Sequence, residues 1–260
     1  MPKKIIYKTA EQVEHIRHAG KHLTILLRAL VDQAQPWVAL LTLEKRAEDY
    51  LQAHQLTGSF KGYQGYPANL CLSVNSCVVH GIPDETILMP GDLLKIDAGV
   101  TYQGMIADSA VSVVIGGRAT NPQATQLIMA TKEALDAGIK TIVIGESMFP
   151  FGETVYNMLT QRGCAVIRQL TGHGVWTSVH EGPYIYNRPY HELRQQYREP
   201  GLVVALEPIT AQTSETFIEK QGVPRNLYTH GGDLWAQREY TIACTEHGIE
   251  ILAGVTTIDR

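Results

Sequence analysis

Four acidic residues stand where a charge is out of place. Asp97 lies in Lys95-Ile96-Asp97-Ala98-Gly99 and Asp108 in Ile106-Ala107-Asp108-Ser109-Ala110, each inside an otherwise apolar run. Glu207 closes Leu202-Val203-Val204-Ala205-Leu206-Glu207 ahead of Pro208, and Glu239 lies in Gln237-Arg238-Glu239-Tyr240-Thr241-Ile242. A buried carboxylate needs a partner, and a solvated strand edge is a poor explanation four times over. His173, between Gly172 and Gly174, and His180, ahead of Glu181-Gly182-Pro183, add imidazoles. Glycines beside a histidine permit close backbone approach. Four carboxylates and an imidazole form an oxygen-rich donor set, suited to Mn(II), Fe(II), Co(II) or Zn(II) and unlike a thiolate site.

These residues need elements to hold them. Met89-Pro90-Gly91-Asp92 marks a turn before a strand over Leu93 to Val100, and a tight connection near Tyr102 to Gly104 returns the chain along Met105 to Ile115. Two turn registers are open. With Tyr102-Gln103 at the turn the aspartates face each other directly; with Gln103-Gly104 they are diagonal neighbours. Either way they share one face. Opposed β-carbons lie roughly 5 Å apart, and like charges that close raise each other's pKa unless a cation sits between them.

Around the hairpin the periodicity alternates between helix and strand. Thr9 with Gln12 has capping-box spacing, and Val13, Ile16, Leu23, Leu26, Leu27 and Leu30 recur at helical intervals. A second helix is expected over Leu43 to His54, with Leu43, Ala47, Tyr50 and Leu51 on one face. Short β-type runs follow from Asn69 to His80. Asn121-Pro122 reads as a cap and first turn of a helix closed by Gly138, and another helix runs from about Gly152 to Arg162. Strands are expected over Leu202 to Glu207, Gln237 to Thr245 and Ile249 to Leu252. This order implies an α+β fold, an antiparallel sheet covered by helices on one side, in a single domain spanning 1–260.

The whole chain sets bounds on partners. Its 260 residues carry a formal charge of -4 with dispersed lysines and arginines, so no basic footprint for nucleic acid or anionic membrane is expected. The start, Met1-Pro2-Lys3-Lys4-Ile5-Ile6, lacks a following apolar region, and Cys71, Cys77, Cys164 and Cys244 include no Cys-x-x-Cys pair. Reduced thiols and a cytoplasmic location are the expectation.

Taken in order and spacing, Asn75-Ser76-Cys77-Val78-Val79-His80-Gly81-Ile82-Pro83, Ile96-Asp97-Ala98-Gly99, Asp108-Ser109-Ala110, Gly172-His173-Gly174, Glu207-Pro208 and Gln237-Arg238-Glu239-Tyr240-Thr241-Ile242 resemble the methionine aminopeptidases of pita-bread fold, type I in particular. The likeness runs from about Thr9 to Leu252. It implies removal of the initiator methionine from nascent polypeptides whose second residue is small. It also implies two divalent metal ions (Co, Mn, Fe or Zn) held by Asp97, Asp108, His173, Glu207 and Glu239, with Asp108 and Glu239 bridging. A bridging hydroxide then attacks the first peptide carbonyl. Glu207 is expected to carry the proton, with His80 near the leaving nitrogen and His180 near the carbonyl oxygen. Tyr63, Tyr66 and Cys71 match the family's methionine pocket, for which aromatic and soft atoms are suited, and Trp176 is expected beside them. A monomer that meets its substrates at the ribosome is the corresponding picture of partners.

The sequence departs from the family at Trp176, usually small, at Val179, usually phenylalanine, and at Trp235, usually serine. Two other readings are an Xaa-Pro aminopeptidase or prolidase, which normally carries an extra N-terminal domain, and a non-catalytic binding protein on the same scaffold. Relatives of that last kind lack ligands, whereas all five are present here.

Overall fold

Thr9 and Gln12 start the chain's first helix as their spacing implies. In the computed structural model, which describes residues 5–219, 227–229 and 231–257, the Thr9 amide donates to Gln12 Oε1 at 2.9 Å and the Gln12 amide to Thr9 Oγ1 at 3.3 Å. Helix α1 (Ala10–Gln33) then buries Val13, Ile16, Leu23, Leu26, Leu27 and Leu30. Thr9→Ala should lower stability by about 1 kcal/mol, read as a lower urea midpoint with an unchanged slope.

Helix α2 (Leu40–Ala53) starts three residues before the expected Leu43. The extra turn has no side-chain cap; the amides of Leu40 and Leu41 instead donate to the carbonyls of Thr86 and Asp84. Helix α3 (Pro122–Lys140) is capped by Asn121, whose Oδ1 accepts from the Ala124 amide at 3.0 Å. It runs past Gly138, the expected terminator. Gly138 is there for packing: a β-carbon on it would come within 2.7 Å of Val155 in α4 (Phe149–Gln161).

The strands are β1 (Thr57–Gly58), β2 (Leu70–Val74), β3 (Leu93–Tyr102), β4 (Met105–Val114), β5 (Ala165–Val166), β6 (Gly172–Gly174) and β7 (Glu181–Ile185), then β8 (Val203–Leu206), β9 (Ile209–Ala211), β10 (Phe217–Glu219), β11 (Leu227–Thr229), β12 (Trp235–Gln237), β13 (Tyr240–Thr245) and β14 (Gly248–Ala253). All of their pairings are antiparallel. Strand β3 lies between β1 and β2 and also pairs with β4; a second sheet has the order β14-β13-β8-β6-β7, and a third β12-β9-β5. One apolar core joins α1 and α2 to β2, β3 and β4, and another joins α3 and α4 to β8 and β13. The α+β reading holds. Among the described residues no helix is long and apolar enough to cross a membrane.

Two details of this architecture place the acids. Tyr102 pairs with Met105, so Gln103 and Gly104 form the turn, with φ of 47° and 78°. Positive φ at both positions is the signature of the tight turn that matches strand twist. Ile96, Ala98 and Val100 of β3 and Ala107, Val111 and Val113 of β4 therefore face α1, and Asp97 and Asp108 share the other face as diagonal neighbours. Second, the strand expected over Gln237 to Thr245 is broken at Arg238-Glu239, opposite the break at Glu207-Pro208 between β8 and β9. Both chains change sheets there. The Glu239 amide donates to Ala110 O of β4 at 3.0 Å and the Arg238 amide to Pro208 O at 3.3 Å.

Candidate metal centre and peptide pocket

The sheet crossing brings Glu207 and Glu239 over the acidic face of the β3–β4 hairpin. Side-chain hydroxyls secure the approach. Thr241 Oγ1 accepts from the Asp108 amide at 2.9 Å and donates to the Asp108 carbonyl at 2.6 Å; Ser109 Oγ donates to Glu239 O at 2.6 Å, and Ser112 Oγ to Gln237 O at 2.8 Å. His173 enters from β6, where β7 and β8 leave no room for a side chain beside it. A β-carbon on Gly174 would lie 2.1 Å from Gly182 O.

The result is a buried cluster. Ligand atoms of Asp108, His173 and Glu239 all lie within 4.8 Å of one another. His173 Nε2 is 3.3 Å from Glu207 Oε1 and 3.8 Å from Glu239 Oε1. Asp97 joins from the diagonal position on β3, and Glu239 is only 2% exposed. Burial, and then the charges of their neighbours, push Asp97, Asp108 and Glu239 well above the ordinary carboxylate range. The repelling groups are Asp108 and Glu207 for Asp97, Glu207 for Asp108, and Asp108, Glu207 and Asp97 for Glu239.

The donor set fits divalent cations. Oδ1 of Asp97 and Oδ1 of Asp108 are buried without a hydrogen-bond partner, a costly arrangement that a cation resolves. His173 Nδ1 lies 3.1 Å from Gly174 O; the tautomer that donates there directs the Nε2 lone pair at the carboxylates. A lone pair facing carboxylate oxygens is repulsive unless a positive charge lies between, and a backbone acceptor on the far nitrogen is how ligating histidines are commonly oriented.

A cavity of about 420 Å³ opens over this cluster and is lined by Asp97, Asp108, His173, Glu207 and Glu239 together with Tyr63, Tyr66, Cys71, His80 and His180. His180 Nδ1 is 3.3 Å from the Tyr63 hydroxyl, and its ring lies 4.3 Å from that of His173. His80 has φ of 61°, a left-handed conformation rare for a residue with a β-carbon and concentrated at functional sites. Cys71 pairs in register with Asp97. Burial and the Asp97 charge push its thiol well above the usual range, so it serves as a soft neutral wall. The Tyr66 hydroxyl, raised by burial, lies 3.0 Å from the carbonyl oxygens of Leu70 and Gly81.

Trp176 is placed differently from the expectation. It is not among the cavity's lining residues; its ring packs against the α1–α2 core, with Lys8 Nζ 5.6 Å from the centroid. Trp235 is fully buried behind Val79 and Ile209 and shapes the wall from outside, whereas Val179 lines it directly. Gln237 escaped the sequence reading. Its amide Nε2 is 3.4 Å from Glu207 Oε2 and also reaches Asp97. Its signal was a polar residue directly after the apolar Leu234-Trp235-Ala236 and two positions before Glu239. Phe60, Gln64, Gln169, Leu170, Thr171 and Tyr184 also line the cavity, and they carried no signal beyond ordinary loop or core composition.

The profile of metallopeptidase family M24 matches residues 14–246. A methionine aminopeptidase of Clostridium acetobutylicum is 33% identical over 251 residues, covering 95% of this chain and 98% of its own length. One from Mycoplasma capricolum subsp. capricolum is 34% identical over 251 residues, with the same coverage. Among solved structures, a methionine aminopeptidase of Thermotoga maritima superposes with a TM-score of 0.91 at 30% identity, over 97% of this chain and 100% of that one. A prolidase of Pyrococcus furiosus, 19% identical, shares the fold with a TM-score of 0.76 and is covered over 66% of its length. The architecture is the pita-bread fold, and the chain belongs to metallopeptidase family M24.

Proposed function

We propose that this chain is a metal-dependent methionine aminopeptidase that removes the initiator methionine from proteins whose second residue is small. The observation that carries the reading is the buried carboxylate–histidine cluster at the floor of a cavity walled by aromatic and soft side chains. Full-length similarity to methionine aminopeptidases supports it. Asp97, Asp108, His173, Glu207 and Glu239 would hold two divalent ions, Co, Mn, Fe or Zn, with Asp108 and Glu239 shared. When bound, such ions supply a water of lowered pKa and positive charge for a developing oxyanion.

The remaining work falls to the chain's own groups. Glu207, oriented by Gln237 at one oxygen and facing His173 with the other, holds the proton taken from the attacking water and delivers it to the departing amine. His180, steadied by Tyr63, addresses the scissile carbonyl, and His80 addresses the leaving nitrogen. Phe60, Tyr63, Tyr66, Cys71, Val79 and Val179 enclose an unbranched thioether side chain. Nascent N-termini are the substrates; action as a single-domain monomer, in the cytoplasm and at the ribosome, belongs to the same reading and is supported by the substrate class.

Metal-reconstituted protein should release methionine from Met-Ala-Ser and no amino acid from Leu-Ala-Ser or Ala-Pro. Cleavage of Ala-Pro in preference to Met-Ala-Ser would instead make it a prolidase-like enzyme. His80→Ala should keep its metal and lower kcat by about a hundredfold or more, the usual range for removing one polar contact to a group that develops charge in the transition state; loss of metal in that variant would show that His80 is a ligand.

A further inference from the structure

The loop that carries His180 is tied to the start of the chain by a buried ion pair. Between His173 on β6 and Glu181 on β7 the chain makes a short excursion through Val175 to His180. Glu181 closes this excursion on itself: its Oε1 accepts the backbone amides of Thr177 at 3.1 Å and Ser178 at 3.2 Å. Its other oxygen, Oε2, is buried with no hydrogen-bond partner. Among the described residues the cation beside it is Lys8, whose Nζ is 3.7 Å away and whose side chain is 0% exposed.

Lys8 is itself anchored. Its Nζ donates to Ile6 O at 2.7 Å, its amide donates to Gly201 O at 2.7 Å, and Ile5 bridges to Gly182. The Trp176 ring, on the same loop, lies 5.6 Å from the ammonium. Burial lowers the Lys8 pKa, and the Glu181 charge works against that shift. Residues 5–8 are therefore fastened to Gly182 and Gly201, with a charge beside the carboxylate that folds the loop.

We infer that Lys8 and Glu181 are positioning residues for His180, holding the Val175–His180 loop in the one conformation that presents His180 to the substrate. Removing the ammonium leaves a buried carboxylate without its counter-charge, and breaking one side of a buried pair is far more damaging than removing both. The carboxylate regains hydration by opening the loop, which withdraws His180 and Val179 from the cavity wall. The metal-binding cluster reaches His173 through β6 and its pairing to β8, so it stays intact. The kinetic form of this inference rests on the proposed aminopeptidase activity; its structural form does not.

The test compares Lys8→Met, Lys8→Arg, Glu181→Gln and the double variant Lys8→Met/Glu181→Gln, each with its metal content measured. Lys8→Met should lower kcat on Met-Ala-Ser by about ten- to a hundredfold, the scale of a small misplacement of a working group, at unchanged metal content. Lys8→Arg should restore most of the rate, and the double variant should be faster than Lys8→Met alone. In a His180→Ala background Lys8→Met should change kcat less than about twofold, since residues acting as one unit are not additive. Hydrogen–deuterium exchange of residues 176–180 should accelerate in Lys8→Met and be slowed again in Lys8→Arg. An equal loss of rate in both His180 backgrounds, or unaltered exchange in the loop, would overturn the inference. If the wild-type protein releases no methionine, the proposed activity fails, and the exchange comparison alone decides the role of Lys8.

Discussion

Asp108→Asn should lose metal and activity together while the fold remains intact. The contacts that fasten this position to Thr241 use the backbone amide and carbonyl of Asp108, so the side-chain exchange spares them. What disappears is a buried charge that the proposed centre shares between two ions. A fall in kcat/KM of at least about a thousandfold, or roughly 4 kcal/mol of transition-state stabilisation, is expected. Stability of the metal-free protein at neutral pH should move the other way, by on the order of 1 kcal/mol, because the fold no longer has to hold a buried acid whose pKa is raised above its unfolded value. Thermal unfolding without metal, metal content and methionine release measured on one preparation give the full pattern. Retention of two tightly bound metals would remove Asp108 from the ligand set.

The second large effect is the pH dependence of stability with and without metal. Asp97, Asp108 and Glu239 are held well above the usual carboxylate range by burial and mutual repulsion. A group whose folded-state pKa is raised contributes stability that is full below its unfolded value, about 4 for these acids, and is lost as pH rises through the folded value. Metal-free protein should thus be penalised increasingly as pH climbs from near 4 into the neutral range. Divalent cations reverse the penalty, since they bind the deprotonated acids and compete with protons. At a thousandfold excess over Kd the stabilisation is about 4 kcal/mol. The gap in Tm between Mn(II)-saturated and chelated protein should therefore widen steadily from pH 5 to pH 8. A gap independent of pH would mean that the three acids are already ionised in the metal-free fold, and the cluster would not have the electrostatics described above.

Much of this is legible in the sequence, because the relevant signals are local. An acid inside an apolar strand, an imidazole between glycines and a cap followed by proline each state a physical requirement that one segment can express. The hairpin register was not fixed by its residues: Gln103 has no particular preference for the positive φ it adopts, so a turn one residue earlier was equally compatible with the pattern. The break in the last long strand was hidden for a different reason. Arg238-Glu239 has no glycine or proline to mark it; the interruption follows from the Glu239 amide bonding across to Ala110 and from the opposing break at Pro208. The resemblance puts Trp176 beside the pocket, but the turn closed by Glu181 sets its ring against the apolar core next to Lys8. Lys8 lies just ahead of a helix with nothing in its neighbours to mark it, and it is the fold that encloses it.

The rate of methionine release from Met-Ala-Ser, followed as metal-stripped protein is titrated with Mn(II) or Co(II), tests the central claim most directly. The expected trace starts at no measurable release, rises with added metal and levels off by two equivalents bound, and the same titration of Leu-Ala-Ser stays flat. Undiminished methionine release from the stripped protein in excess chelator would contradict it, as would stoichiometric metal binding with no cleavage at all.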